Sequence, residues 1–181
     1  MPYPYSLDDY IAEVKEYIYK NGLTCPHVIA HSFGARIAIK AASVEPDLFA
    51  KLVLTGAAGL KPKTTFKKAV KRAAYKTLKR FFPKEKLKCF FSSDYNALSP
   101  VMQISFKKIV NEHLDDRLNG IKNPTLLVFG ENDKETPLYM AKRLNAGIAG
   151  SKLIVIDGAG HFCFTDKPNK FNMEVKEFLL S

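Results

Sequence analysis

Four short runs of the chain are apolar almost throughout, and amphipathic stretches separate them. The runs are His27-Val28-Ile29-Ala30, Leu52-Val53-Leu54-Thr55, Thr125-Leu126-Leu127-Val128-Phe129 and Leu153-Ile154-Val155-Ile156. A strand with one wet face alternates apolar and polar residues, whereas a strand covered on both faces does not. The pattern therefore predicts an α/β fold: a mostly parallel sheet of about four strands with helices on its faces.

The intervening stretches have helical spacing. Ser6 and Asp9 stand in the arrangement of a capping box, Tyr10, Val14, Tyr17 and Ile18 follow three to four apart, and Asn21-Gly22 ends the pattern. This predicts a first helix of roughly 14 residues. Ala35, Ile37, Ala38, Ala41 and Ala42 mark a second helix that stops near Pro46, and Phe171, Val175, Phe178 and Leu179 mark a last one that closes over the sheet. Between the second and third strands lie about 65 residues without a strand pattern, where a simple crossover helix needs ~10 to 15. Residues 60–118 are accordingly expected to form an inserted helical cap, and residues 1–59 and 119–181 the sheet-bearing core.

Charge sharpens that division. The chain carries a formal net charge of +10, but residues 61–88 hold 12 of its 28 basic residues against one acid, Glu85, and the rest is close to neutral. Within residues 64–82, Phe66, Val70, Ala73, Ala74, Thr77, Leu78 and Phe81 recur at helical spacing. Lys67, Lys68, Lys71, Lys76 and Lys79 fall largely on other faces, which reads as a basic amphipathic helix. Its plain reading is a cap helix with an apolar face over the pocket and solvated lysines. The sharper reading is contact with an anionic membrane surface or an acidic substrate. Nucleic acid is not expected as a partner, since no recognition helix or base-stacking platform accompanies the charge.

Other classes are excluded or left without support. The first 17 residues lack the basic and apolar regions of a secretory signal, and no stretch approaches the ~18 uninterrupted apolar residues of a membrane span, so a soluble cytoplasmic chain is expected. Cys25, Cys89 and Cys163 match neither a zinc site nor a redox pair and read as free thiols. His27 and His113 have no evident partner, and no metal or organic cofactor is implied.

The candidate chemistry lies where the strands end. Ala30-His31-Ser32-Phe33-Gly34 has the small-x-Ser-x-small form of a nucleophile elbow, set between an apolar strand and a helix. Serine is a poor nucleophile at neutral pH and needs a base within hydrogen-bond reach, with an acid to orient that base. Gly130-Glu131-Asn132-Asp133 follows the third strand and Gly158-Ala159-Gly160-His161 follows the fourth. Ser32, Asp133 and His161 are thus the candidate triad, with Glu131 or Glu135 as alternatives for the acid. His31, just before the serine, is expected to point away from the reaction and to be structural.

The segments HVIAHSFGARIAIKAASVEPDLFAKLVLTGAAG, PTLLVFGENDKETP and GAGHFCFTDKPNKF resemble the alpha/beta hydrolase fold family, of the capped AB hydrolase-1 kind. The chain order serine, acid, histidine agrees with it. The resemblance implies Ser32 as nucleophile, His161 as general base and then acid, Asp133 as the orienting carboxylate, and acyl transfer to water through an acyl-enzyme. The substrate would be a small or medium ester, thioester or lactone. It also implies the backbone N–H of Phe33 as one oxyanion donor. In the family the second donor comes from a loop, often beginning His-Gly, which with four strands precedes the helix that here starts near Ser6; this sequence has none of them. The alternative expectation is therefore a non-catalytic fragment or binding module. Without those strands the Ser32 strand becomes an exposed apolar edge, expected to self-associate or to be covered by Met1–Tyr5, unless the chain is part of a longer protein.

Overall fold

The computed structural model describes residues 3–63, 70, 73–75, 77, 78, 80 and 93–181. It divides into two compact units, one of Leu7–Lys61 with Val110–Ser181 and the other of Met1–Ser6 with Pro62–Ile109.

The larger unit is built on a four-stranded sheet: β1 (Val28–His31), β2 (Leu52–Thr55), β3 (Thr125–Gly130) and β4 (Lys152–Ile156). The strands lie in chain order and every neighbouring pair is parallel. The apolar runs thus become strands as expected. Helix α1 (Leu7–Lys20) precedes β1, and α2 (Phe33–Val44) supplies the crossover that parallel β1 and β2 need. The short helices α3 (Ser93–Ala97) and α4 (Pro100–Asn111) lie between β2 and β3, and α5 (Leu138–Gly147) lies between β3 and β4. A four-residue helix α6 (Cys163–Asp166) and the last helix α7 (Pro168–Leu180) close the chain.

Burial follows position in the sheet. Every residue of β2 and β3 is buried, as an all-apolar central strand requires. Phe171 and Val175 of α7 pack with Val53, Leu126, Val128 and Ile156 in one cluster, so the last helix covers the sheet as its spacing predicts. Among the described residues β1 pairs only with β2, and Ile29 is 55% exposed. The open side of β1 borders an apolar groove of about 450 Å³ lined by Val14, Ile18, Leu23, Ile29 and Ile37.

In the smaller unit, α4 and α3 meet through Tyr95 and Phe106, whose rings lie 5.6 Å apart. The Tyr5 N–H donates to Ser105 Oγ and Lys108 Nζ to the Pro4 carbonyl. The described part of the Met1–Tyr5 segment is therefore bonded to α4. In the basic stretch, residues 70, 73–75, 77 and 78 are helical. Phe66, Phe81, Cys89 and the lysines 67, 68, 71, 76 and 79 lie outside the described residues. No described helix is long and apolar enough to cross a membrane.

Candidate active site

Ser32 occupies the turn between β1 and α2, with φ 48° and ψ −106°. A positive φ brings Cβ against the backbone of an L-residue, so this conformation costs on the order of 1–3 kcal/mol and must be held from outside. Three hydrogen bonds hold it. The Ser32 N–H donates to the Thr55 carbonyl of β2 at 3.0 Å, and the Ser32 carbonyl accepts from the Ala58 and Arg36 amides at 3.2 and 3.3 Å. The flanking Ala30 and Gly34 lie against each other across the turn, where a Cβ on Gly34 would make an ordinary contact 3.9 Å from the Ala30 Cβ. Phe33 is the first residue of α2, where a backbone N–H has no intrahelical acceptor and faces the end of the helix that favours negative charge.

Asp133 and His161 form a pair independent of the serine. The His161 Nδ1–H donates to Asp133 Oδ2 at 2.9 Å. The same oxygen accepts the Thr136 hydroxyl at 2.7 Å, and Asp133 Oδ1 accepts the Glu135 and Thr136 amides at 2.9 and 2.8 Å. The carboxylate is buried, with four donors around it. Burial alone pushes the Asp133 carboxyl up. The bonds from His161 and from the Thr136 hydroxyl and amide outweigh it, and the group is held below the ordinary aspartate value.

Of the three acids near this loop, Asp133 thus takes Nδ1. Glu131 is engaged elsewhere, accepting the Gly158 amide at 3.0 Å. Glu135, largely exposed, places Oε2 3.4 Å from His161 Nε2. Among the described residues no hydrogen bond joins Ser32 Oγ to His161, and the serine hydroxyl makes no capping bond to α2. The structure therefore joins two of the three expected residues directly and places the third at the end of β1 in the same sheet.

Two glycines allow this packing. A Cβ on Gly130 would stand 2.1 Å from the Gly160 carbonyl oxygen and 2.4 Å from that of Ala159, so the loop bearing His161 lies directly on the end of β3. A Cβ on Gly56 would come within 3.0 Å of the His161 ring and 3.1 Å of the His31 ring.

His31 departs from expectation. Its ring does not point away but lies 4.6 Å from the His161 ring, centroid to centroid. The register explains why. His31 pairs with Thr55, whose Oγ1 lies 3.2 Å from Cys163 Sγ, so both residues face the side of the sheet that the segment from His161 to Phe164 covers. Thr136 is the other contributor that sequence reasoning missed. Its signal was the spacing to Asp133, since an aspartate side chain commonly accepts backbone amides two and three residues on. Cys163 is buried, and burial pushes its thiol up, away from thiolate character. Among the described residues no cluster of three or more side chains is set to hold a metal ion.

A parallel sheet whose strand ends carry a strained serine and a carboxylate–histidine pair defines a hydrolase-like α/β architecture. The chain belongs to the alpha/beta hydrolase family, whose model matches residues 1–174. It is 28% identical over 182 aligned positions to 2-hydroxy-6-oxononadienedioate/2-hydroxy-6-oxononatrienedioate hydrolase 2 of Pseudomonas putida, a match covering 87% of this chain and 64% of that enzyme. The chain thus spans less than two thirds of that relative. A hydrolase of the same substrate name from Klebsiella pneumoniae is 43% identical over 63 residues, 35% of this chain and 22% of the relative. Among solved structures, an esterase from Exiguobacterium antarcticum superposes with a TM-score of 0.75 at 25% identity, covering 98% of this chain and 75% of its own. A mutant of the meta-cleavage product hydrolase from Pseudomonas fluorescens superposes with a TM-score of 0.71 at 22% identity, covering 98% of this chain and 72% of its own, and speaks for the fold alone.

Proposed function

We propose that this chain is a serine hydrolase of the α/β-hydrolase type, acting on a small or medium ester, thioester or lactone. Ser32 Oγ attacks the substrate carbonyl carbon and gives its proton to His161 Nε2, while Asp133 fixes the ring through Nδ1. The tetrahedral oxyanion is met by the Phe33 N–H. Collapse expels the leaving group, which takes the proton from His161, and leaves an acyl-Ser32 ester. Water, deprotonated by the same His161, hydrolyses that ester and restores the serine.

The observation that carries this reading is the strained backbone of Ser32, a cost that a tight turn alone does not require, beside a fully satisfied Asp133–His161 pair. The relatives' names add hydrolysis as the reaction class. They also extend the substrate screen to oxo-dioates, since the hydrolase of P. putida is named for them. Residues 60–118 are assigned the role of a cap on the sequence pattern, and their basic stretch suits an acidic substrate or an anionic lipid surface.

A second reading is favoured by one contact. His161 Nε2 lies 3.4 Å from Glu135 Oε2, a contact that a non-catalytic fragment or binding module with an incomplete oxyanion hole would tolerate. Labelling with a fluorophosphonate probe separates the two. The first reading expects labelling that is lost in Ser32→Ala and in His161→Ala. A folded wild-type chain that takes no label would reject it in favour of the second.

A further inference from the structure

His31 is unusually placed for a structural residue. Its Nδ1 lies 3.1 Å from the Thr55 carbonyl oxygen, which only accepts, so Nδ1 carries the proton and Nε2 is bare. That Nε2 is buried and has no hydrogen-bond partner. The ring is tilted 55° against His161 and lies 5.1 Å from both Phe162 and Phe164, while Phe162 in turn meets His161 edge-on at 5.3 Å. On another side Gly56 leaves no more than van der Waals space to either imidazole. His161 therefore sits in a slot whose walls are Gly56, Phe162 and His31, with Asp133 at its base.

We infer that His31 is a positioning residue: its ring, pinned by the Thr55 carbonyl, is the wall that keeps the His161 imidazole seated on Asp133. The inference rests on the reading of His161 as the general base. A phenyl ring in the same place supplies the wall without the pin, and a methyl group supplies neither.

Neutrality of the ring is part of the arrangement. Burial first, and the neighbouring His161 second, hold the His31 imidazole below the ordinary histidine value, against the pull of the Thr55 carbonyl, Asp133 and Glu135. A neutral wall does not oppose the positive charge that His161 acquires when it takes the serine proton. A cation 4.6 Å away would.

The test uses the full chain and two variants, His31→Ala and His31→Phe, with two readouts. The first is solvent exchange of the His161 Nδ1 proton by NMR, which needs no activity. The second is hydrolysis of 4-nitrophenyl acetate. In His31→Ala the proton is expected to exchange at least about tenfold faster, and kcat to fall about tenfold with KM nearly unchanged, as a fraction of an ångström of misplacement implies. His31→Phe is expected to recover most of both. Unchanged exchange in a folded His31→Ala, or equal losses in both variants, would overturn the proposal. If the wild-type chain does not hydrolyse the ester, the hydrolase reading fails by itself, and the exchange rates still decide whether His31 seats His161.

Discussion

Replacing Gly130 by alanine tests whether the end of β3 sets the position of His161. The new Cβ would stand 2.1 Å from the Gly160 carbonyl oxygen. Carbon–oxygen contacts settle near about 3.3 Å, so the loop would have to retreat by roughly 1.2 Å. The retreat is resisted by two hydrogen bonds, from the Asn132 amide to the Ala159 carbonyl at 2.8 Å and from the Glu131 amide to the Ile156 carbonyl at 3.0 Å. Losing them at about 0.5–1.5 kcal/mol each, with about 1 kcal/mol of overpacking strain, gives a destabilisation of about 2–4 kcal/mol. If His161 is the base, as proposed, a shift of that size in its loop should also slow fluorophosphonate labelling of Ser32 by about 10²-fold. Gly158→Ala is the control in the same loop. It has φ +69° and open space around the added methyl. It should therefore cost about 1 kcal/mol of backbone strain and leave the labelling rate alone. Urea unfolding and labelling kinetics on the three proteins measure both quantities. If Gly130→Ala matched the wild type in both, the loop would yield freely, and the argument that β3 fixes His161 would be refuted.

Three further outcomes are expected. Ser32→Gly should abolish labelling and raise stability by about 1 kcal/mol in urea titrations, because glycine adopts the positive φ without strain; a loss of stability would show that the serine backbone is relaxed. Asp133 is held below its ordinary value, so its pairing stabilises the fold above about pH 3.9 and is lost as pH falls through the lower folded value. Thr136→Val, which removes the hydroxyl donor, should therefore move acid unfolding to higher pH and cost about 1 kcal/mol at neutral pH; coincident acid transitions by circular dichroism would argue against it. Ile29→Lys at the open edge of β1 should lower concentration-dependent association in sedimentation velocity, and equal association of both proteins would place the contact elsewhere.

The fold was legible because its signals are local. Uninterrupted apolar runs become β2 and β3 with every residue buried, and Phe171 and Val175 reach the core from a helix read off their spacing. Asp133 was legible among three acids only through its place after a strand, since nothing in the order of Glu131, Asp133 and Glu135 says which side chain turns inward. The donors that select it, two amides and a hydroxyl, belong to a turn whose shape is a three-dimensional result. His31 was misread for a similar reason. Its partners His161, Phe162 and Phe164 are about 130 residues away along the chain, and register with Thr55, not proximity to Ser32, decides which face it joins. The need for glycine at 130 was equally invisible, because the carbonyl that it accommodates comes from a loop after a different strand.

The two halves of the site are held by different parts of the sheet. Asp133 and His161 hang from β3 and β4, where the pairing is the most extensive in the sheet and the carboxylate has all its donors locally. The Asp133–His161 pair is thus assembled without help from the serine. Ser32 hangs from β1, which among the described residues pairs with β2 alone, and its strained turn is fixed from that same side by Thr55 and Ala58. The approach of Ser32 to His161 Nε2 is therefore set by the β1–β2 register and by whatever contact Nε2 keeps with Glu135. Anything that packs against the open edge of β1 bears first on the serine, and on the Asp133–His161 pair only through His31. Edge occupancy that leaves the His31–Thr55 contact in place should accordingly change how fast Ser32 reacts without changing exchange of the His161 Nδ1 proton, a separation that distinguishes an incomplete site from a misassembled one.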